Sequence, residues 1–184
     1  MHDVGNYKYP MVRGSGAFLV CIGLGLILAV VWAGEAPVNA RILGISAILG
    51  IVAIPTARKF FPLGKPKALH ILAMTGSVAL ELCLFWLVFS RLPKATPPQT
   101  RWLWAMLLVG LHFIPMGLAL GRRVVILGAA CAAVAASALM FGVIPFACAI
   151  VVDGILKLGF GASMAFTGLR KAAQLAPGAH ANHE

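Results

Sequence analysis

The chain has 184 residues, 61% of them apolar and only 11% charged, whereas a water-soluble domain carries about 25% charged residues. One hydrocarbon crossing takes roughly 20 mostly apolar residues, so about six crossings would use about 120 residues and leave only short connections, with no room for a separate soluble domain. The formal charge of +10 would suggest nucleic acid in a soluble protein, but here Lys and Arg stand at the ends of apolar runs, where they meet anionic headgroups and set topology, so nucleic-acid binding is set aside.

The first apolar run, about Ala17 to Ala33, follows a polar segment, residues 1–16, that holds Lys8, Arg13 and Gly14-Ser15-Gly16. These small residues read as a flexible lead. The run stops at Gly34-Glu35-Ala36-Pro37. No small-residue cleavage site with soluble sequence behind it follows, so the run reads as a retained helix rather than a signal peptide. Asn39 is placed to cap a second, shorter run, about Ala40 to Thr56, which Pro55 and the cluster Arg58-Lys59 close. Its length is marginal, and a re-entrant course for it would reduce the count to five spans. Turn formers Pro62, Gly64 and Pro66, with Lys65 and Lys67, lead into a full-length third run, Ala68 to Ser90.

Arg91 to Arg101 contains Pro93, Pro97 and Pro98 and reads as a loop, because proline lacks the N–H and clashes with the preceding turn. Gly121-Arg122-Arg123 divides the long apolar stretch that follows into a fourth span, Trp102 to Leu120, and a fifth, about Val124 to Met140. Gly142 and Pro145 mark a tight turn into a sixth, about Ile144 to Leu169, closed by Arg170 and Lys171. The tail, residues 170–184, has nothing with which to build a core and is expected to be disordered. The expected fold is all-α, a single transmembrane bundle of six helices (17–33, 40–56, 68–90, 102–120, 124–140 and 144–169) with both termini cytoplasmic.

Two independent signals agree with this division. With the N-terminus cytoplasmic, that side receives Lys8, Arg13, Arg58, Lys59, Lys65, Lys67, Arg122, Arg123, Arg170 and Lys171, and the opposite side only Arg41, Arg91, Lys94 and Arg101, as the positive-inside rule requires. Trp32, Trp86, Trp102 and Trp104 all fall at the other interface, where indole rings prefer to sit.

The chain has five acidic residues, and two of them, Glu81 and Asp153, lie deep in apolar runs, where a charge costs about 2.5–3.5 kcal/mol or more. His112 lies at a similar depth in span four. Lys157 follows Asp153 at i, i+4 and so shares its helix face. The functional reading is a polar cluster of Glu81, His112, Asp153 and Lys157 that lines a cavity and exchanges protons or binds a cation or small polar solute. The structural reading has Asp153 and Lys157 neutralising each other while Glu81 and His112 bond as interhelical glue. Pro115 removes the hydrogen bond that the Leu111 carbonyl would accept, beside His112; it reads as a kink near the site.

Gly117 and Gly121 form a G-x-x-x-G at the end of span four, and span five is largely Gly, Ala and Ser, so both are expected to pack closely. Membrane lipids are the expected partners, with a homodimer or a partner membrane protein docking on the same small-residue faces as the alternative. The four cysteines, Cys21, Cys83, Cys131 and Cys148, form no C-x-x-C pair and read as small apolar residues. There is no H-E-x-x-H, no G-x-S-x-G and no P-loop. No cofactor is expected. His180 and His183 have metal-compatible spacing but no third ligand, so no metal is assigned.

The segment Gly110-Leu111-His112-Phe113-Ile114-Pro115-Met116, followed by a short basic break and a Gly/Ala-rich helix, resembles small uncharacterised bacterial membrane proteins with a His-Phe-(Leu/Ile)-Pro element. The resemblance implies membrane residence and a role for His112 and Pro115, without a substrate. The functional expectation is a small transporter or channel for a solute or ion, proton-coupled through the cluster, in a bacterial inner membrane. A non-catalytic subunit or scaffold is the alternative, and a membrane-embedded enzyme acting on a lipid or quinone ranks third. The chain is not expected to be an enzyme.

Overall fold

Hydrocarbon offers the backbone no hydrogen-bond partner, so each apolar run must satisfy its own N–H and C=O groups, and each does so as one α-helix. The computed structural model describes residues 9–60, 65–142 and 144–167. It contains α1 (Val12–Val31), α2 (Ala40–Phe60), α3 (Ala68–Arg91), α4 (Pro98–Leu120), α5 (Arg122–Phe141) and α6 (Phe146–Ala165), and no strand among the described residues. All six helices are long and apolar enough to cross a membrane.

Helix ends differ from the sequence expectation where packing or capping overrides local propensity. The Gly14-Ser15-Gly16 segment lies within the first two turns of α1 rather than forming a flexible lead. A Cβ at Gly16 would lie 2.7 Å from the Gly161 carbonyl oxygen, and one at Gly14 3.2 Å from that of Ile54, so these glycines admit α6 and α2. Arg13 is helical and buried, and its Nε donates to the Thr167 carbonyl at 2.7 Å, at the end of α6. Helix α4 starts at Pro98 rather than Trp102, with Pro97 as its N-cap, because proline at the first helical position loses no bond that the helix would have made. Helix α2 continues unbroken through Pro55 to Phe60. Its cap is Asn39, whose Oδ1 accepts from the N–H groups of Arg41 at 3.2 Å and Ile42 at 3.4 Å. Helix α6 begins at Phe146, after Gly142 in the left-handed region (φ 59°) and Pro145 at the N-cap. Lys8 and the whole tail, residues 170–184, with Arg170, Lys171, His180 and His183, lie outside the described residues.

Helix α1 packs on α2 and α6, α6 on α5, α5 on α4 and α4 on α3, and α1 also touches α4. Helices α1, α6, α5 and α4 therefore close a ring, with α2 attached to α1 and α3 to α4. Small residues bring the ring helices together: a Cβ at Gly154 would lie 2.9 Å from the Gly23 carbonyl oxygen, and one at Gly128 2.7 Å from that of Gly110. The apolar stretches of α2 and α3 are only 6% buried, against 33% to 50% for the ring helices. Ile48, Leu49, Leu72 and Leu82 on these outer helices are exposed, as residues facing lipid tails should be.

Two apolar clusters occupy opposite ends of the ring. One joins Val12 of α1, Leu120 of α4, Val124 of α5 and Met164 of α6. The other joins Ala29, Leu103, Ala138 and Ala149 of the same helices. Each cluster combines helix starts with helix ends, so consecutive ring helices alternate in direction.

Candidate functional site

Asp153 and Lys157 lie one turn apart on α6, on the face turned into the ring. Asp153 is fully buried and Lys157 2% exposed. The Lys157 ammonium donates to Asp153 Oδ2, which makes a buried ion pair. The other oxygen, Oδ1, makes no hydrogen bond among the described residues. The thiol of Cys131, fully buried on α5, interacts with the same carboxylate, but a thiol is a weak donor.

Glu81 reaches inward from α3 toward His112 on α4. The separation of Glu81 Oε2 from His112 Nδ1 is 3.6 Å, longer than a hydrogen bond; the Val109 backbone, one turn earlier on α4, also interacts with the ring, without giving Nδ1 a well-aligned hydrogen bond among the described residues. His112 is 5% exposed, and the Glu81 side chain is 21% exposed. A modest rotation of either side chain would bring the two into hydrogen-bond contact. Asp153 and Lys157 cancel each other in charge.

All four side chains line one cavity of about 420 Å3, partly open to the exterior. It lies at the seam between α1 and α4, where packing is thin, with α6 behind it and residues of α2 and α3 at its flanks. Apart from Ser15 and these four residues its walls are apolar or aromatic, with Leu19, Ile22, Val109 and Met116 typical. The volume falls in the ordinary range for small-molecule sites, about 300–1,000 Å3. Among the described residues no three His, Cys, Asp or Glu side chains are placed to hold a metal ion.

Pro115 sits inside α4, which continues past it, between the cavity-lining Phe113 and Met116. Gly117 packs against Val125 of α5. Gly121 plays a different part from the helix packing expected of it: it stands one residue beyond α4, in the turn to α5, at φ 92° and ψ 177°. That conformation is essentially restricted to glycine, and a Cβ there would also lie 2.9 Å from the Tyr9 ring. Sequence reasoning missed Ser15, which lines the cavity, because its two glycine neighbours resembled a linker. Cys131 likewise reads from the sequence only as a small apolar residue. No spacing rule links Cys131 to Asp153, since the two meet only through the packing of α5 on α6.

No curated protein and no solved structure matches the chain. A family model described as a family of unknown function (DUF6609) matches residues 3–174. That match covers nearly the whole chain, including every residue of the cavity, and the chain belongs to this family.

Proposed function

We propose that this protein is a small multi-pass transporter that binds its solute in the cavity between α1 and α4 and couples the step to a proton. Glu81 and His112 are the solute and proton ligands. The Asp153–Lys157 pair gates the site, because any solute that bonds to Asp153 competes with the ammonium. One observation carries the reading: four ionisable side chains from three helices meet in one cavity, deep in a chain that is otherwise almost wholly apolar. Intramembrane ionisable groups are expensive and mark pathways more often than they mark mere packing.

Charge supports an orientation with both termini cytoplasmic. The helix ends at the Val12–Val124 cluster carry Arg13, Lys59, Lys65, Lys67, Arg122 and Arg123. The opposite ends carry Arg41, Arg91, Lys94 and Arg101 together with the four tryptophans. A bacterial inner membrane is the corresponding location. A scaffold role gains less support, because the glycines expected to bind a partner are largely used within the chain, between α1 and α6 and between α4 and α5.

Proteoliposomes loaded with a pH-sensitive dye and challenged with a panel of small solutes test the proposal. The expected result is solute-dependent proton movement that Glu81→Gln and Asp153→Asn abolish. If both variants leave every transport and binding signal unchanged, the proposal fails.

A further inference from the structure

We infer that the ligand of this cavity is a neutral amphiphile, an apolar chain with an uncharged hydroxyl-bearing head, and that it enters sideways from the bilayer through the gap between α2 and α3. The inference rests on the reading of the cavity as a binding site and names what it binds.

The gap follows from the packing. Helix α2 is held by α1 and α3 by α4, and no comparable packing joins α2 to α3. The cavity lies behind that gap, with Ile54 of α2 and Val78 and Glu81 of α3 at its flanks. A route between these helices leads through the hydrocarbon, so a solute that dissolves in lipid reaches the site without crossing a polar mouth.

The shape and lining fit a chain. On α1 the lining runs from Ser15 to Leu26, eleven helical steps, or about 16 Å along the helix axis at 1.5 Å per residue. A small hydrophilic solute would leave most of this apolar wall facing water, whereas an alkyl chain covers it.

The head is specified by charge and by two poorly paired atoms. Because Asp153 and Lys157 cancel each other, an ionic head placed beside that pair would bring an uncompensated charge to mid-membrane. A neutral head avoids that cost. Asp153 Oδ1 and His112 Nδ1 are both buried on residues that line the cavity, and beyond the weak Cys131 thiol and the Val109 backbone neither has a well-formed hydrogen bond among the described residues. A buried polar atom left poorly paired is costly, and hydroxyls both donate and accept, so a head with two hydroxyls offers a partner to each atom whether or not His112 Nδ1 carries the ring proton.

The test uses the full chain in lipid nanodiscs with a monoacylglycerol probe carrying a diazirine in its acyl chain, photolysed and mapped by peptide mass spectrometry. Saturable labelling of the Leu19–Ile22 and Val109–Met116 segments is expected, with loss of that labelling on Ala105→Trp and, independently, on Val78→Trp, which fill the cavity from α4 and from the gap. Leu82→Trp, on the lipid face, should leave labelling intact. Equal labelling by a fatty-acid anion or an alkylammonium probe of the same length overturns the neutral head. In parallel, Val109→Cys with Cys21, Cys83 and Cys148 replaced by Ala is exposed to a membrane-impermeant thiosulfonate. If that reagent reaches Val109→Cys while the lipid probe marks only the outer faces of α2 and α3, entry is aqueous: the amphiphile inference falls and the transporter proposal stands. If neither probe reaches the cavity, both fall.

Discussion

Replacing Lys157 with Met keeps most of the side chain's length but strips the fully buried Asp153 of its counter-charge. Removing one partner of a buried pair costs about 3–5 kcal/mol, because the remaining charge has lost its hydration and gained nothing in exchange. Asp153→Leu alone strands the ammonium in the same way. It should cost less, because the flexible lysine stem allows the ammonium to move toward the cavity or the headgroups. The double variant Asp153→Leu with Lys157→Met removes both charges and should recover most of the loss, or exceed native stability by about 1–4 kcal/mol. The assay is reversible unfolding in mixed micelles, extrapolated to zero denaturant and arranged as a double-mutant cycle, which isolates the coupling between the two sites. A single-variant cost below about 1 kcal/mol, the worth of an exposed pair, would falsify the burial argument and mean that water fills the cavity and solvates both groups. A stable double variant that has also lost ligand binding would separate function from folding at this pair.

Three further outcomes follow from the same geometry. Glu81→Gln should change stability by less than about 1 kcal/mol, since interhelical polar contacts in membranes are worth little and this one stands at 3.6 Å; the same unfolding assay checks it, and a larger loss would make Glu81 a structural residue. Gly154→Leu should destabilise by about 1–3 kcal/mol through overpacking, because its Cβ would meet Ile27 at 2.8 Å and the Gly23 carbonyl at 2.9 Å. Gly159→Leu, with nothing within 4 Å, should be neutral in the same measurement, and equal effects at the two positions would refute the α1–α6 contact. Gly121→Ala should cost about 1–3 kcal/mol for its backbone conformation alone, read as a lowered thermal midpoint in detergent; an unchanged midpoint would mean that the turn relaxes.

Much of the architecture was legible in the sequence because hydropathy is a local property. Six runs of apolar residues had to become six helices, and Asn39, Gly142 and Pro145 marked ends that the structure also uses. The errors fell where a residue's role depends on a distant neighbour. Gly14, Ser15 and Gly16 are loop formers by local propensity, yet all three are helical, and α2 and α6 lie close enough to need Gly14 and Gly16 small. Gly121 matched a packing motif, but the chain turns at Leu120 and uses its freedom from a Cβ instead.

The candidate site divides in the same way. That Glu81, His112, Asp153 and Lys157 lie deep in apolar helices, and that Asp153 and Lys157 share a face, follows from counting along the chain, because helical periodicity is fixed by the backbone. Their meeting in one cavity does not follow from counting. It depends on α4 and α6 belonging to a ring that α1 closes only loosely, and on α3 lying outside that ring and reaching inward with Glu81. Small residues decide which helices approach closely, and a pair of helices held apart leaves the space in which the polar side chains converge.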